Sequence, residues 1–116
     1  ERLVKLLGER SASRRTLGVF SMLKDKPAVA VVRCLRGVID EWHVTELHDK
    51  RALEVVELEK VIRAEATNAV HVWNSPEEAF YGARENSQSM DRIIVFGSTY
   101  LAGVILQLLD KERPKT

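Results

Sequence analysis

The chain has 116 residues, 45% of them hydrophobic and 30% charged, with a formal net charge of +1 and one cysteine. That length suits a single domain, residues 1–116, with its own core, and the composition is that of an ordinary globular protein. A charge so near zero leaves no footprint for nucleic acid or an anionic membrane, no apolar run approaches the roughly 18 residues of a membrane span, there is no secretory signal, and a lone cysteine fits a reducing compartment, so we expect a cytoplasmic protein with neither partner.

The chain opens ERLVKLLGER, with Leu3, Val4, Leu6 and Leu7 on one helical stripe. A helix is predicted over residues 1–9, closing at Gly8 through a left-handed cap. Neither an initiator Met nor a capping residue precedes it, so the chain is expected to begin inside a helix, as a piece of something longer. Arg10, Arg14 and Arg15 surround Ser11-Ala12-Ser13 and read as a solvated basic loop. Thr16 to Met22 is a short buried strand, interrupted by Leu23-Lys24-Asp25-Lys26. Pro27 at a first helical position starts the next helix, with Val29, Val32 and Leu35 on one face and Cys34 as a core thiol.

Val38 to Leu47 contains a strand carrying Trp42, Val44 and Leu47. A helix follows over residues 55–66, with Leu58, Val61 and Ile62 facing one way, and Ala69 to Trp73 is the next strand. The segment NSPEEAF holds the clearest helix start in the chain. Ser75 can cap, Pro76 takes the first helical position, Glu78 can reach back as the capping-box acid, and Ala79, Phe80 and Ala83 face inward. Ile93 to Phe96 forms the last strand. After Gly97-Ser98 the last helix places Leu101, Val104, Ile105, Leu108 and Leu109 on one stripe.

A helix followed by four strand–helix units implies mainly parallel strands, because each crossover needs a helix. The strands are continuous apolar runs, which means burial on both faces. The fold class is therefore α/β, with an open, mainly parallel Rossmann-like sheet and helices on both faces. Ligands of such sheets bind outside the carboxyl ends of the strands, where three joints lie. The first, Ser21 to Lys26, offers lysines to an anion and Asp25 to an ammonium group, or is a solvated turn in which Asp25 caps the following helix. The second is Asn74-Ser75. The third is Gly97-Ser98-Thr99-Tyr100, where Gly97 lets the backbone bend, Ser98 or Thr99 can cap, and free N–H groups favour a carboxylate or phosphate. The same residues suit a plain cap in a tight turn. No histidine pair has metal spacing, and His43, His48 and His71 read as structural or surface residues. The chain also lacks a nucleophile elbow, a Gly-x-Gly-x-x-Gly fingerprint and a Walker loop, so no catalytic residue is assigned.

The segments FSMLKDKP, DEWHVTEL, NSPEEAF and DRIIVFGSTYLAGVIL resemble, in order and spacing, the C-terminal domain of the bacterial folylpolyglutamate synthase/dihydrofolate synthase family, within the Mur ligase superfamily. The resemblance covers about residues 1–111. It implies an ATP- and magnesium-dependent ligase that joins L-glutamate to dihydropteroate or a reduced folate, with this domain closing over a cleft beside a central ATP-binding domain. Ser21, Lys24, Asp25, Lys26, Gly97, Ser98 and Thr99 would then bind glutamate or phosphate. Two departures stand out. The family's Asp-x-Ala-His-Asn-Pro strand would precede Glu1, and Thr99-Tyr100-Leu101 stands where the family often has an aromatic residue followed by His or Thr. The domain is thus expected to lack its first strand, which we place inside the sheet, to bind no cofactor and be inactive alone, and to self-associate or rearrange. A Mur-type ligase for another amino acid and a non-catalytic α/β binding module are the competing possibilities.

Overall fold

The computed structural model describes residues 15–112. The helix expected over residues 1–9 and most of the basic loop after it lie outside the described residues. The elements run in the expected order: β1 (Thr16–Phe20), α1 (Ala28–Leu35), β2 (Glu41–Thr45), α2 (Val55–Glu65), β3 (Ala69–Trp73), α3 (Pro76–Asn86), β4 (Arg92–Phe96) and α4 (Thr99–Glu112). The four strands form one sheet in the order β3-β2-β1-β4, and every pairing is parallel.

Alternation along each strand divides the apolar residues between two cores. Phe20, Trp42, Val44 and Phe96 face Val32, Leu35, Leu58 and Ile62 of α1 and α2. Leu17 and Val19 face Ala79, Phe80, Ala83, Leu101 and Ile105 of α3 and α4. Helices thus cover both faces, which is why β1 is buried at all five positions. In the first core the Phe20 and Phe96 rings stack at 4.6 Å, with Trp42 edge-on to Phe96 at 6.1 Å. Such pairs contribute on the order of 1 kcal/mol beyond their area.

Several expectations need correction. Pro27 is the residue before α1, and no side chain caps that helix, so Asp25 does not serve it. The buried stripe of α1 is Val32 and Leu35, flanked by Ala28 and Val31. Val29 is exposed, and so is Cys34, which is not a core thiol. Leu109 also faces out. Arg15 is no free loop cation, because its guanidinium donates to Asp91 Oδ2 at 2.9 Å and ties the start of β1 to the start of β4. Finally, β1 is paired on both sides, with β2 and with β4. A further strand could join this sheet only at an outer edge, not inside it.

Candidate functional site

From β1 the chain steps to β2 and then β3, and α3 carries it back to β4 on the far side of β1. That reversal leaves a crevice between the carboxyl ends of β1 and β4, the place where open α/β sheets bind ligands. A cleft of about 530 Å³ opens there, lined by Leu23, Lys26, Val95, Phe96, Gly97, Ser98 and Ala102. Two joints picked out from the sequence therefore meet in space.

Gly97 has φ +100°, and a Cβ there would overlap the Ser21 carbonyl oxygen. Only glycine gives both the left-handed turn and the close approach of the two strand ends. Ser98 then caps α4. Its carbonyl accepts from the Ala102 N–H at 3.2 Å, and its Oγ makes a long 3.4 Å bond to the Leu101 N–H. The α4 dipole directs partial positive charge at the cleft, and Lys26 adds a full charge on the opposite wall. No lining residue is acidic. This donor set suits an anion; it does not suit magnesium, which takes carboxylate and other oxygen ligands.

Of the predicted site residues, Lys26, Gly97 and Ser98 line the cleft, and Thr99 opens α4. Lys24 and Asp25 are exposed on the same loop without lining it. Ser21 is fully buried, and among the described residues its hydroxyl has no hydrogen-bond partner. The loop is held rather than loose. The Lys24 N–H donates to the Arg51 carbonyl at 2.7 Å, the Leu53 N–H donates to the Met22 carbonyl at 2.9 Å, and Leu23 bridges Ala52. Asp49 accepts from the Arg51 side chain, which holds its carboxyl below the usual carboxylate range. The joint after β3 is a helix start as expected. Ser75 Oγ accepts from the Glu78 N–H, and Glu78 accepts from the Asn74 N–H.

One cluster escaped sequence reasoning. Parallel register sets His43 of β2 opposite His71 of β3, with Glu41 two residues earlier on the same face. Candidate ligand atoms of the three lie within 4.8 Å of one another. The imidazoles stack at 4.8 Å. The fully buried His43 meets Glu41 Oε1 at 2.6 Å through Nε2, while its Nδ1 accepts from the Trp73 indole N–H at 3.0 Å. Burial pushes His43 below the usual histidine range, although Glu41 pulls the other way. Burial would raise Glu41, but bonds from His43 and Asn86 and the charge of His43 outweigh it and hold the carboxyl low. A metal on His43 Nε2 would need the ring proton at Nδ1, donating outward to an acceptor. Trp73 offers a donor there, so the polarity of the cluster opposes a metal.

Among the described residues, no helix is long and apolar enough to cross a membrane. Residues 1–99 match the family model described as Mur ligase, glutamate ligase domain. Over 91 residues the chain is 32% identical to the dihydrofolate synthase/folylpolyglutamate synthase of Haemophilus influenzae, covering 78% of this chain and 21% of that protein. Among solved structures, E. coli FolC in complex with DHPP and ADP superposes with a TM-score of 0.89 at 22% identity, over 98% of this chain and 26% of that one. The bifunctional folylpolyglutamate synthase/dihydrofolate synthase of Yersinia pestis, complexed with AMPPNP and Mn, gives 0.84 at 23% identity, over 94% of this chain and 25% of that one. A further bifunctional synthase structure with Mn, AMPPNP and L-glutamate bound gives 0.80 at 22% identity, over 94% and 26%. At these identities the superpositions establish the fold, and the chain spans about a fifth to a quarter of these relatives' lengths.

Proposed function

The chain belongs to the Mur ligase glutamate ligase domain family, and from that membership we propose that it is the C-terminal, cleft-closing domain of an ATP-dependent ligase joining L-glutamate to dihydropteroate or a folylpolyglutamate. The observation that carries the proposal is the β1/β4 cleft, with Gly97, Ser98 and the α4 N-terminus on one wall and Lys26 on the other. A glutamate carboxylate suits that pair of donors by charge and by direction.

In this proposal the nucleotide and its metal, held by the rest of the complete protein, supply activation of the acceptor's carboxyl group. The residues of this chain bind and orient. Lys26 attracts the incoming carboxylate, the first turn of α4 fixes it, and Gly97 keeps the backbone close enough for N–H groups to reach it. Holding the amine in line with the activated carboxyl converts an encounter into an intramolecular attack. Attack forms the C–N bond of the amide, the amine's proton passes to solvent, and phosphate leaves with the electrons of the C–O bond. Lys24 and Asp25 lie on the same loop as Lys26, and Ser21 acts through the carbonyl that fits Gly97. None of these groups is a catalytic residue.

The test is phosphate release by the complete protein with ATP, magnesium, L-glutamate and either dihydropteroate or a reduced folate. Release that requires both glutamate and the pterin acid supports the proposal. A folded complete protein that binds ATP but releases phosphate only with another amino acid or acceptor would make it a Mur-type ligase of different specificity.

A further inference from the structure

We propose that Glu41, His43 and Trp73 form a proton-operated latch that clamps β3 and α3 to the sheet and lets them loosen in acid. The inference is independent of the ligase reading and rests on a cluster remote from the β1/β4 cleft in chain position and lining.

An indole N–H only donates. The 3.0 Å bond from Trp73 Nε1 to His43 Nδ1 therefore requires a lone pair on Nδ1. A neutral imidazole has one donor and one acceptor, so its proton is at Nε2, where it donates to Glu41 Oε1 at 2.6 Å. The tautomer is thus set by the partners on both sides. Adding a proton places a second N–H at Nδ1, pointing at the indole N–H. Two donors then face each other and that bond is lost, while the bond to Glu41 gains charge.

Trp73 connects this chemistry to the fold. Its ring lies on Gly82 of α3 so closely that a Cβ at that position would overlap it. Asn86, the last residue of α3, donates to Glu41 at 3.2 Å. Two contacts of α3, at its middle through Gly82 and at its C-terminal end through Asn86, therefore run to the Glu41–His43–Trp73 chain. The groups facing it come from several elements. Glu41 lies on β2. His71 on β3 stacks against His43, and its Nε2 lies 3.9 Å from Glu41. Arg15 reaches Glu41 at 3.5 Å from before β1 and is itself held by Asp91. Protonated His71 would repel a protonated His43, whereas Glu41 would attract it. The direction of the switch then depends on Trp73, whose hydrogen bond survives only with neutral His43.

The experiment is ring-nitrogen NMR on the ¹⁵N-labelled chain through a pH titration, following His43 and the Trp73 indole N–H. The expected result is His43 in the Nε2–H form at neutral pH. On acidification His43 and the Trp73 indole change together, with one midpoint below the ordinary histidine value of about 6.5. Trp73→Phe removes the opposing donor and should raise that midpoint by about half to one pH unit. Glu41→Gln removes the attracting charge and should lower it. Neutral His43 with its proton on Nδ1 would overturn the proposal, as would a Trp73 indole signal that ignores the His43 titration. One equivalent of zinc ion that shifts His43 and His71 together at neutral pH would overturn it in favour of a metal site.

Discussion

The carbonyl oxygen of Ser21, just past β1, occupies the space where a side chain on Gly97, just past β4, would begin. The two strand ends are therefore locked at a separation only glycine permits, and the cleft wall is built on that contact. Gly97→Ala meets two penalties at once. Its φ of +100° is strained for any L side chain, and the obstructing atom is backbone, which cannot swing aside. A loss of about 2–5 kcal/mol is expected, measured by urea unfolding of the chain. Loss of only a few tenths would mean that the two ends can part easily and that the cleft is not held by this contact.

Lys24 and Lys26 are two residues apart, yet only Lys26 lines the cleft. In the complete protein, Lys26→Ala is expected to raise the KM for glutamate by about tenfold or more, the range of one charge-assisted hydrogen bond. Lys24→Ala should change it by less than about threefold. Steady-state phosphate release at varied glutamate distinguishes them. Equal effects would show that the loop acts through its general charge rather than through a directed contact.

Gly82 lies in the middle of α3, where alanine would normally stabilise a helix by about 1 kcal/mol. Here a Cβ would run into the Trp73 ring. Gly82→Ala is therefore expected to destabilise the chain by about 1–3 kcal/mol. In a Trp73→Leu background the same change should become neutral or stabilising. Such a reversal in a double-mutant cycle, read by urea unfolding, assigns the cost to the ring contact. Additive effects would put it elsewhere.

The strands and helices were legible because their apolar residues follow one period each and because Ser75-Pro76 and Gly97-Ser98 mark helix starts chemically. The cleft was legible in part, since the strand-to-helix joints named Lys26, Gly97 and Ser98. Cys34 was misplaced because the apolar stripe of α1 was drawn on the wrong face. Its buried stripe passes through Ala28, Val31, Val32 and Leu35, and the advance of about 100° per residue carries Val29 and Cys34 off that face on either side. The Glu41–His43–His71–Trp73 cluster could not be read from linear spacing. It exists through the register of two parallel strands separated by a helix, and a run of residues does not state which register it will adopt. A partial signal was present in Glu41-Trp42-His43 and His71-Val72-Trp73. The first places two polar residues two positions apart on a strand otherwise expected to be apolar, and the second sets a histidine two positions from an indole N–H.

That cluster also gives the chain's stability a sign with pH. His43 is held below the ordinary histidine value, so between the two the unfolded chain binds a proton that the native chain refuses. Its contribution is fully present above about pH 6.5 and declines as the pH falls, with a limiting slope of about 1.4 kcal/mol per pH unit for one proton. Glu41 is held below its ordinary 4.5, so its contribution is present above that value and is lost at lower pH. The two losses have the same sign and follow one another, histidine first. Urea unfolding at pH 7.5, 6 and 5 should therefore show falling stability before the Glu41 contribution is lost. His43→Gln keeps an acceptor for Trp73 and a donor for Glu41 but takes up no proton, so it should flatten the decline between pH 7.5 and 5. A slope that persists in His43→Gln would place the proton uptake on another group and detach acid sensitivity from the β2–β3–α3 contact.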